Sequence, residues 1–501
     1  MGRDLIVVQI GSLANFVGAH YWNFQNELFG SAFGGDLSPE SLYSESLGGS
    51  YRPRALLIDS KGSLGSRPQY HGSHQHVERV DLSWGGASSI HVQERIEPTE
   101  FMKSVEEEAG VEGTNLRLPE GELPFSEEFL AYWTDYCKEV FSDRSYLQLD
   151  GTFHGRPPAL FTNGQELVTA EREDDIVDAF RWQAEQCDNL SGVMTLCESD
   201  TGYTGVADSV LTALKDEFPG PPGVTFGCGQ RRRSPSKLQS GLNDAWLAAV
   251  CARLDQHLIP FSATQWDANT FQHFNLVDVF NPYYSSSTLA VGVEMASLPL
   301  RKKEQMSLLE LVDRLRTRPS WKVSRADLIF PMRLQQDSPL DLASPAFRSL
   351  TPSLGSDLSA VDSRSYQSTV ICSRGVAFPS NEDFAESECS EASIIKSSVL
   401  PIPVPFPHRF SAAVDRDGNF LDNAASALRM KAKGKDFECE SCGVLSVLSA
   451  DAKGGHQAAS NWSRELRMAS KKIFPSSSAG IDHAYMLETS ELLSDMATDF
   501  E

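Results

Sequence analysis

Apolar positions along the chain fall into two alternating periods. Leu5-Ile6-Val7-Val8 is an unbroken apolar run, followed at once by Gly11 and by a stretch in which Val17, Tyr21 and Trp22 recur at helical spacing. An unbroken run of that length suits a strand buried on both faces. The alternation continues with a strand at 54–59, a helix over 174–187, a strand at 193–197, a loop at 198–205 and a helix over 206–217. A strand near Val224-Thr225-Phe226, a helix at Asp244–His257 and a long helix over 285–298 complete it. This βαβα order predicts an α/β fold with a doubly wound, mostly parallel sheet. Leu5–Gln9, Leu56–Asp59 and Val193–Cys197 are expected as parallel neighbours, with Trp22 and Cys187 buried on the helices that cover them.

Three regions follow from the same pattern. Residues 1–300 form the main domain, interrupted at about 60–170 by an insertion rich in Gly, Ser, His and Glu. That insertion predicts long surface loops and one helix at Phe125–Phe141, where Phe129, Trp133 and Cys137 repeat at helical spacing. Residues 301–440 form a second domain whose Ser-, Asp-, Pro- and Glu-rich 335–400 stretch is expected to include a mobile segment. Pro401 to Pro407 reads as an extended polyproline stretch before a last strand. Residues 441–501 are expected to be a helical, acidic end region.

Composition narrows the function. With 501 residues, 41% of them hydrophobic, the chain can build the cores of two to three domains. No apolar run approaches the roughly 18–20 residues a bilayer span requires. Residues 3–10 already read as a core strand, so a cleaved presequence is not expected. Nine cysteines at scattered spacings fit free, buried thiols in a reducing compartment, and a cytoplasmic location. The formal net charge of −24 disfavours nucleic acid and bare anionic membrane as partners. Arg231-Arg232-Arg233-Ser234-Pro235-Ser236-Lys237, the one basic run, suits a solvated loop better than a nuclear signal. His71, His74 and His76 lie in a Gly/Ser-flanked stretch, and Cys439 and Cys442 lack a second pair, so no metal site is expected. There is no phosphate-binding Walker loop and no Ser-His-Asp elbow.

The spelling of the first unit is more particular than its plan. Arg3, Gln9, Gly11, Asn15, Gly18, Ala19 and Trp22 match, without a gap, the opening strand, loop and helix of tubulin. Pro53 to Asp59 resembles the second tubulin strand, Ala184 to Gly192 the stretch before the tubulin glycine loop, and Met295-Ala296-Ser297-Leu298 the end of the central tubulin helix. The chain therefore resembles the tubulin superfamily. Trp133-Thr134-Asp135-Tyr136 and Leu147-Gln148-Leu149-Asp150-Gly151, absent from tubulin itself, point within it to the Misato/DML1 family.

That resemblance implies GTP as the candidate cofactor, although none is certain from the sequence, and a remnant pocket of Gly11, Ser12, Asn15, Thr201, Gly202, Thr204, Gly205 and Asn243. The pocket is degraded. Leu13 and Phe16 put apolar bulk in the first loop, and Asp59-Ser60-Lys61 carries a cation where tubulin has an acid. Ser199-Asp200-Thr201-Gly202-Tyr203-Thr204-Gly205 keeps two of the phosphate-loop glycines and brings Asp200 toward a triphosphate. The loops Gly11–Asn15 and Ser199–Gly205 are expected to meet in a shallow cleft partly filled by Tyr203 or Phe16. Glu310 is the weak catalytic candidate; as a plain helix acid it would pair with Arg314. Tyr283 falls near a base-stacking position but reads more readily as a core or loop tyrosine.

The implied function is a cytoplasmic protein at the mitochondrial outer surface that acts in mitochondrial distribution, morphology and inheritance. Its partners would be proteins of that surface or of the cytoskeleton, and oligomerisation is open. The competing readings are an active, self-assembling tubulin-like GTPase and a tubulin-assembly or chaperone-linked factor.

Overall fold

All seven positions of β1 (Asp4–Ile10) are buried, as a strand covered on both faces must be. The computed structural model describes residues 3–30, 34–45, 51–66, 96–109, 125–127, 130–230, 236–304, 306–316, 318–332, 346–355, 366–376, 392–411, 413–420, 439–473 and 483–500. After β1 and α1 (Ser12–Gly30), a short hairpin of β2 (Tyr43–Glu45) and β3 (Tyr51–Pro53) leads to β4 (Ala55–Lys61). β5 (Tyr146–Phe153), β6 (Leu190–Glu198), β7 (Gly223–Gly229) and β8 (Gln256–Ser262) complete a six-stranded parallel sheet in the order β5-β4-β1-β6-β7-β8. Val8 pairs with Leu56 on one side and Thr195 on the other, so the three strands expected as parallel neighbours are neighbours.

Side-chain alternation along β1 divides two cores. Leu5 and Val7 share one with α1 and with α7 (Pro282–Arg301). Ile6, Val8 and Ile10 face the other, built by α4 (Ala170–Glu185), α5 (Tyr203–Glu217) and α6 (Lys237–Arg253). That second core is closed from outside by α9 (Ala452–Ile473) and α10 (His483–Asp499). Two shorter helices of the insertion, α2 (Glu100–Ala109) and α3 (Phe161–Gln165), and α8 (Leu308–Leu315) after the central helix are the other α-helices among the described residues.

A separate mixed sheet is made by β9 (Arg325–Met332), β10 (Arg348–Ser349), β11 (Tyr366–Arg374), β12 (Ala392–Ser397), β13 (Leu400–Pro401) and β14 (Ser441–Asp451). Its order is β10-β9-β14-β11-β12, with β13 added on β14; among the described residues only β11 and β12 pair in parallel. α7 packs against α1 on one side and β11 and β14 on the other, and is buried from Tyr283 to Arg301. Glu294 of α7 is fully buried between Arg301 (2.8 Å) and Arg374 of β11 (2.6 Å), and Gln25 of α1 donates to its other oxygen at 2.5 Å.

Several expectations are corrected. No helix spans Phe125–Phe141: among the described residues there are only 3-10 conformations, at Glu127 and over Trp133–Asp135, and Phe129 lies outside them. Asn23 of α1 takes the backbone instead, donating to Tyr136 O (2.9 Å) and accepting from Lys138 N (2.8 Å). The insertion is not only surface loop, since Leu147–Gly151 lies in β5, the edge strand of the main sheet. The helix expected at Asp244–His257 runs from Lys237 to Arg253; Asp255 then turns at φ 56° and His257 belongs to β8. Ser441–Asp451, placed from sequence in the helical end region, is the middle strand of the second sheet. Cys187 is half-buried rather than buried, because α4 ends at Glu185 before reaching it. His71, His74, His76, Arg231 to Pro235 and most of 335–400 lie outside the described residues.

Trp22 is fully buried and meets Tyr43 and Phe141 edge-on, with centroids 5.8 Å away in both cases. Trp22→Ala is expected to destabilise by roughly 3–5 kcal/mol through the cavity it leaves. A denaturant melt checks this; a loss under about 1 kcal/mol would contradict the packing of α1.

Candidate functional site

β1 hands over to α1 through Gly11, whose φ of +100° only glycine adopts without strain. A Cβ there would also stand 2.7 Å from Glu198 Cβ and 2.9 Å from the Tyr203 ring. Glu198 is the last residue of β6, and its Oε2 accepts the Leu13 backbone N–H at 2.8 Å. A carboxylate thus sits on the first turn of α1, where the orphan amides and the helix dipole favour an anion.

Asp59, near the end of β4, gathers the rest. Its carboxylate accepts from Asn15 Nδ2 (2.9 Å), Ser60 N (2.7 Å) and the Tyr203 hydroxyl (3.2 Å). Burial pushes the Asp59 carboxyl above its ordinary range despite these three donors. Burial, with Asp59 and Glu198 beside it, raises the Tyr203 phenol well above its usual value. The loops Gly11–Asn15 and Ser199–Gly205 therefore meet at the carboxyl ends of β1 and β6, as expected for an open α/β sheet. Tyr203 fills the space between them. Phe16 does not: it packs in the opposite core, 6.0 Å from the Tyr136 ring.

The N-terminus of α5 is covered by the chain as well. Gly202 N donates to Pro158 O at 2.8 Å, and a Cβ on Gly202 or Gly205 would run into the carbonyls of Leu160 and Phe161. Asn243 pins that cover, accepting from Phe161 N (3.0 Å) and donating to Ala159 O (2.9 Å). Thr204 donates to Thr201 O (3.2 Å) within the turn. Ser12 is half-exposed, while Asn15 Oδ1 and Thr201 Oγ1 are buried and without a hydrogen-bond partner among the described residues. Lys61 points outward, 3.7 Å from Asp150.

The remaining sequence candidates lie elsewhere. Glu310 pairs with Arg314 at 3.1 Å on the exposed face of α8, whose Leu308 packs on Gly192 at the amino end of β6. Six residues of strand put that end about 20 Å from Glu198. Tyr283 is buried, donating to Pro405 O at 3.0 Å. Among the described residues no group of three His, Cys, Asp or Glu could hold a metal ion. Sequence reasoning missed Glu198 and the 158–165 cover. The signal for the first was there: an acid closes the otherwise apolar and small-residue run of β6. The cover leaves no local signature, since its tight fit exists only after folding.

A parallel six-stranded sheet with loops converging on the N-termini of α1 and α5, joined by a buried central helix to a second mixed sheet, is the architecture of the tubulin superfamily. Residues 3–107 match the Misato segment II tubulin-like domain and residues 123–302 the tubulin domain. The chain belongs to the Misato/DML1 family of that superfamily. It is 26% identical over 317 residues to protein DML1 of Gibberella zeae, covering 60% of this chain and 61% of that protein. It is likewise 26% identical over 316 residues to protein DML1 of Coccidioides immitis, 60% and 58%. With misato homolog 1 of Homo sapiens it shares 25% identity over 396 residues, 70% and 69%. The match thus spans about three fifths of the two fungal relatives.

Behind the loop, Asp244 of α6 is bonded by Ser199 and faces Asp200 and Glu465; burial first, then those two acids, push its carboxyl up to about 8. An acid raised in the folded state contributes stability that is complete below its unfolded value and lost as pH rises through the folded one. Relative to Asp244→Asn, the thermal midpoint of the native chain should therefore fall between about pH 4 and pH 8 and level off above. Parallel melting curves of the two across that range would contradict the burial of this carboxyl.

Proposed function

We propose that this chain acts as a Misato-type factor in mitochondrial distribution, morphology and inheritance, working at the outer surface of the organelle through protein contacts rather than nucleotide turnover. The family membership supports the organelle role. The absence, among the described residues, of any helix long and apolar enough to cross a membrane is compatible with peripheral action.

The observation that carries the second half is the Glu198 carboxylate on Leu13 N. The first turn of α1 has an intramolecular anion where a phosphate would bind, and Tyr203 occupies the approach to Gly11. The residues present do not fit a triphosphate. Glu198 and Asp59 would repel it, Asn15 Oδ1 is an acceptor, and the cover at 158–165 stands over the first turn of α5. The fold's phosphate geometry is retained and turned inward.

Two measurements test the two halves. Calorimetric titration with GTP and Mg²⁺ should show no binding up to about 1 mM. Micromolar affinity with assembly-stimulated hydrolysis would instead establish the active GTPase. Glu198→Ala combined with Tyr203→Gly, checked for folding by its melting curve, is the variant in which weak nucleotide binding should emerge. For the organelle role, depletion of the protein in its own cells should redistribute or fragment mitochondria; an unchanged network under imaging would overturn that reading.

A further inference from the structure

The last two helices carry an uneven share of outward apolar surface. Ten large apolar side chains are exposed among the described residues, and four of them, Met468, Tyr485, Leu487 and Leu492, stand on α9 and α10 at 36–41% exposure. Such clustering on an otherwise polar face marks a surface that is covered by something. The ridge of α10 is flanked by two grooves of about 380 Å³ each. One, shared with α9, is lined by Arg464, Arg467, Met468 and the hydroxyls of Ser460, Ser463 and Ser494. The other, shared with α6, has Trp246, Val250 and Leu492 in its walls and Glu488, Glu491 and Asp495 along its rim.

Charge is separated between the same two helices. Among its described side chains α9 carries three cations (Lys453, Arg464, Arg467) against one acid, Glu465. α10 carries Glu488, Glu491, Asp495 and Asp499 and no Lys or Arg. Arg464 donates to Asn461 Oδ1 (2.7 Å) and lies near Glu465, whose carboxyl burial raises and this arginine draws down, and Arg467 donates to Ser490 Oγ (3.3 Å); among the described residues neither makes an ion pair. Glu488, Glu491 and Asp495 likewise have no cationic partner there. In a chain of net charge −24, two exposed arginines outside any ion pair, set beside three exposed acids outside any ion pair, leave both stripes open to a charged partner.

The two stripes are complementary to each other, so the face is complementary to itself. A two-fold axis lying in the contact plane and running along the hairpin sets α9 of one copy over α10 of the next, antiparallel, and the reverse contact follows by symmetry. We propose that this face is the interface of a homodimer, in which the α10 ridge of each chain, with Leu487, Glu491 and Asp495, lies in the Arg464–Arg467 groove of the other. The 17 residues of α10 give a ridge about 25 Å long, enough for an interface of ordinary size. Repulsion between two acidic chains opposes the encounter, but at physiological salt it is screened beyond roughly 8 Å, whereas the paired stripes touch. This contact is independent of the nucleotide loops and of the mitochondrial reading; it stands or falls by itself.

Sedimentation velocity of the full chain at physiological salt tests it. The native protein should dimerise with concentration, while Arg464→Glu/Arg467→Glu and Glu491→Arg/Asp495→Arg should each weaken association at least about 100-fold by placing like charges opposite. All four altered positions are exposed, and because Arg467→Glu gives up the bond to Ser490 Oγ, the melting curve of each variant is checked to confirm a folded chain before association is read. Mixed in equal amounts, the two variants should recover a dimer, because each then meets opposite charge on both helices. A native chain still monomeric at about 100 μM, a dimer untouched by either reversal, or a mixture that stays monomeric would each overturn the proposal. So would a monomer that instead uses Arg464 and Arg467 to bind phosphatidylserine vesicles, which would assign the groove to a lipid surface.

Discussion

A single buried carboxylate holds the two halves of this molecule in register. Burial alone would push the Glu294 carboxyl up, yet the guanidinium groups of Arg301 and Arg374 hold it below the usual glutamate range. The three side chains belong to the central helix and to the far sheet, and Gln25 brings α1 into the same knot. Charges taken out of water are costly unless every one is met, and removing one partner of such a group typically costs about 3–5 kcal/mol. The arrangement therefore adds little as a net attraction and much as a constraint. Any other packing of α7 between α1 and the second sheet would strand at least one charge.

The same logic applies to the loops at the carboxyl end of the first sheet. A helix N-terminus has unpaired amides and a partial positive charge, worth about 0.3–1 kcal/mol to an exposed anion and up to ~2 kcal/mol to a partly buried one. In a nucleotide-binding relative the ligand supplies that anion. Here Glu198 supplies it permanently, and Tyr203 and Asp59 close the space around it. An intramolecular carboxylate needs no association entropy to arrive, so a fold that keeps the helix, the glycine turn and the strand ends can keep its stability without a bound phosphate.

How much of this was legible in the sequence depends on range. The parallel core was legible because Leu5–Val8, Leu56–Ile58 and Val193–Cys197 must be buried on both faces whatever surrounds them. Gly11 was legible because its left-handed turn admits little else. The failures are all long-range. Phe129, Trp133 and Cys137 have helical spacing, but Asn23, more than a hundred residues earlier, offers the backbone better partners than a helix would. Asp200 looked like the charge that spoils the site, whereas Glu198, two residues earlier on the strand, is the one that reaches α1. β14 was read as part of the helical end because nothing local shows that Ser441–Asp451 is gripped by β9 and β11 on its two sides.

The path of the chain through the second core bears on how the protein is made. α6 presents Trp246 to Tyr485 at 5.2 Å, and Trp321 donates to Asp499 O at 2.7 Å and stacks on Phe500. The first sheet is thus sealed by helices that emerge long after its own strands. Between the end of α6 and the start of α9 lie about 200 residues, which a ribosome adding 5–20 residues per second takes roughly 10–40 seconds to deliver. For that interval the strands of the first sheet can be paired while one of their two helical layers still faces water with its tryptophan side. Newly made molecules must therefore wait, apolar face outward, for residues 452–499.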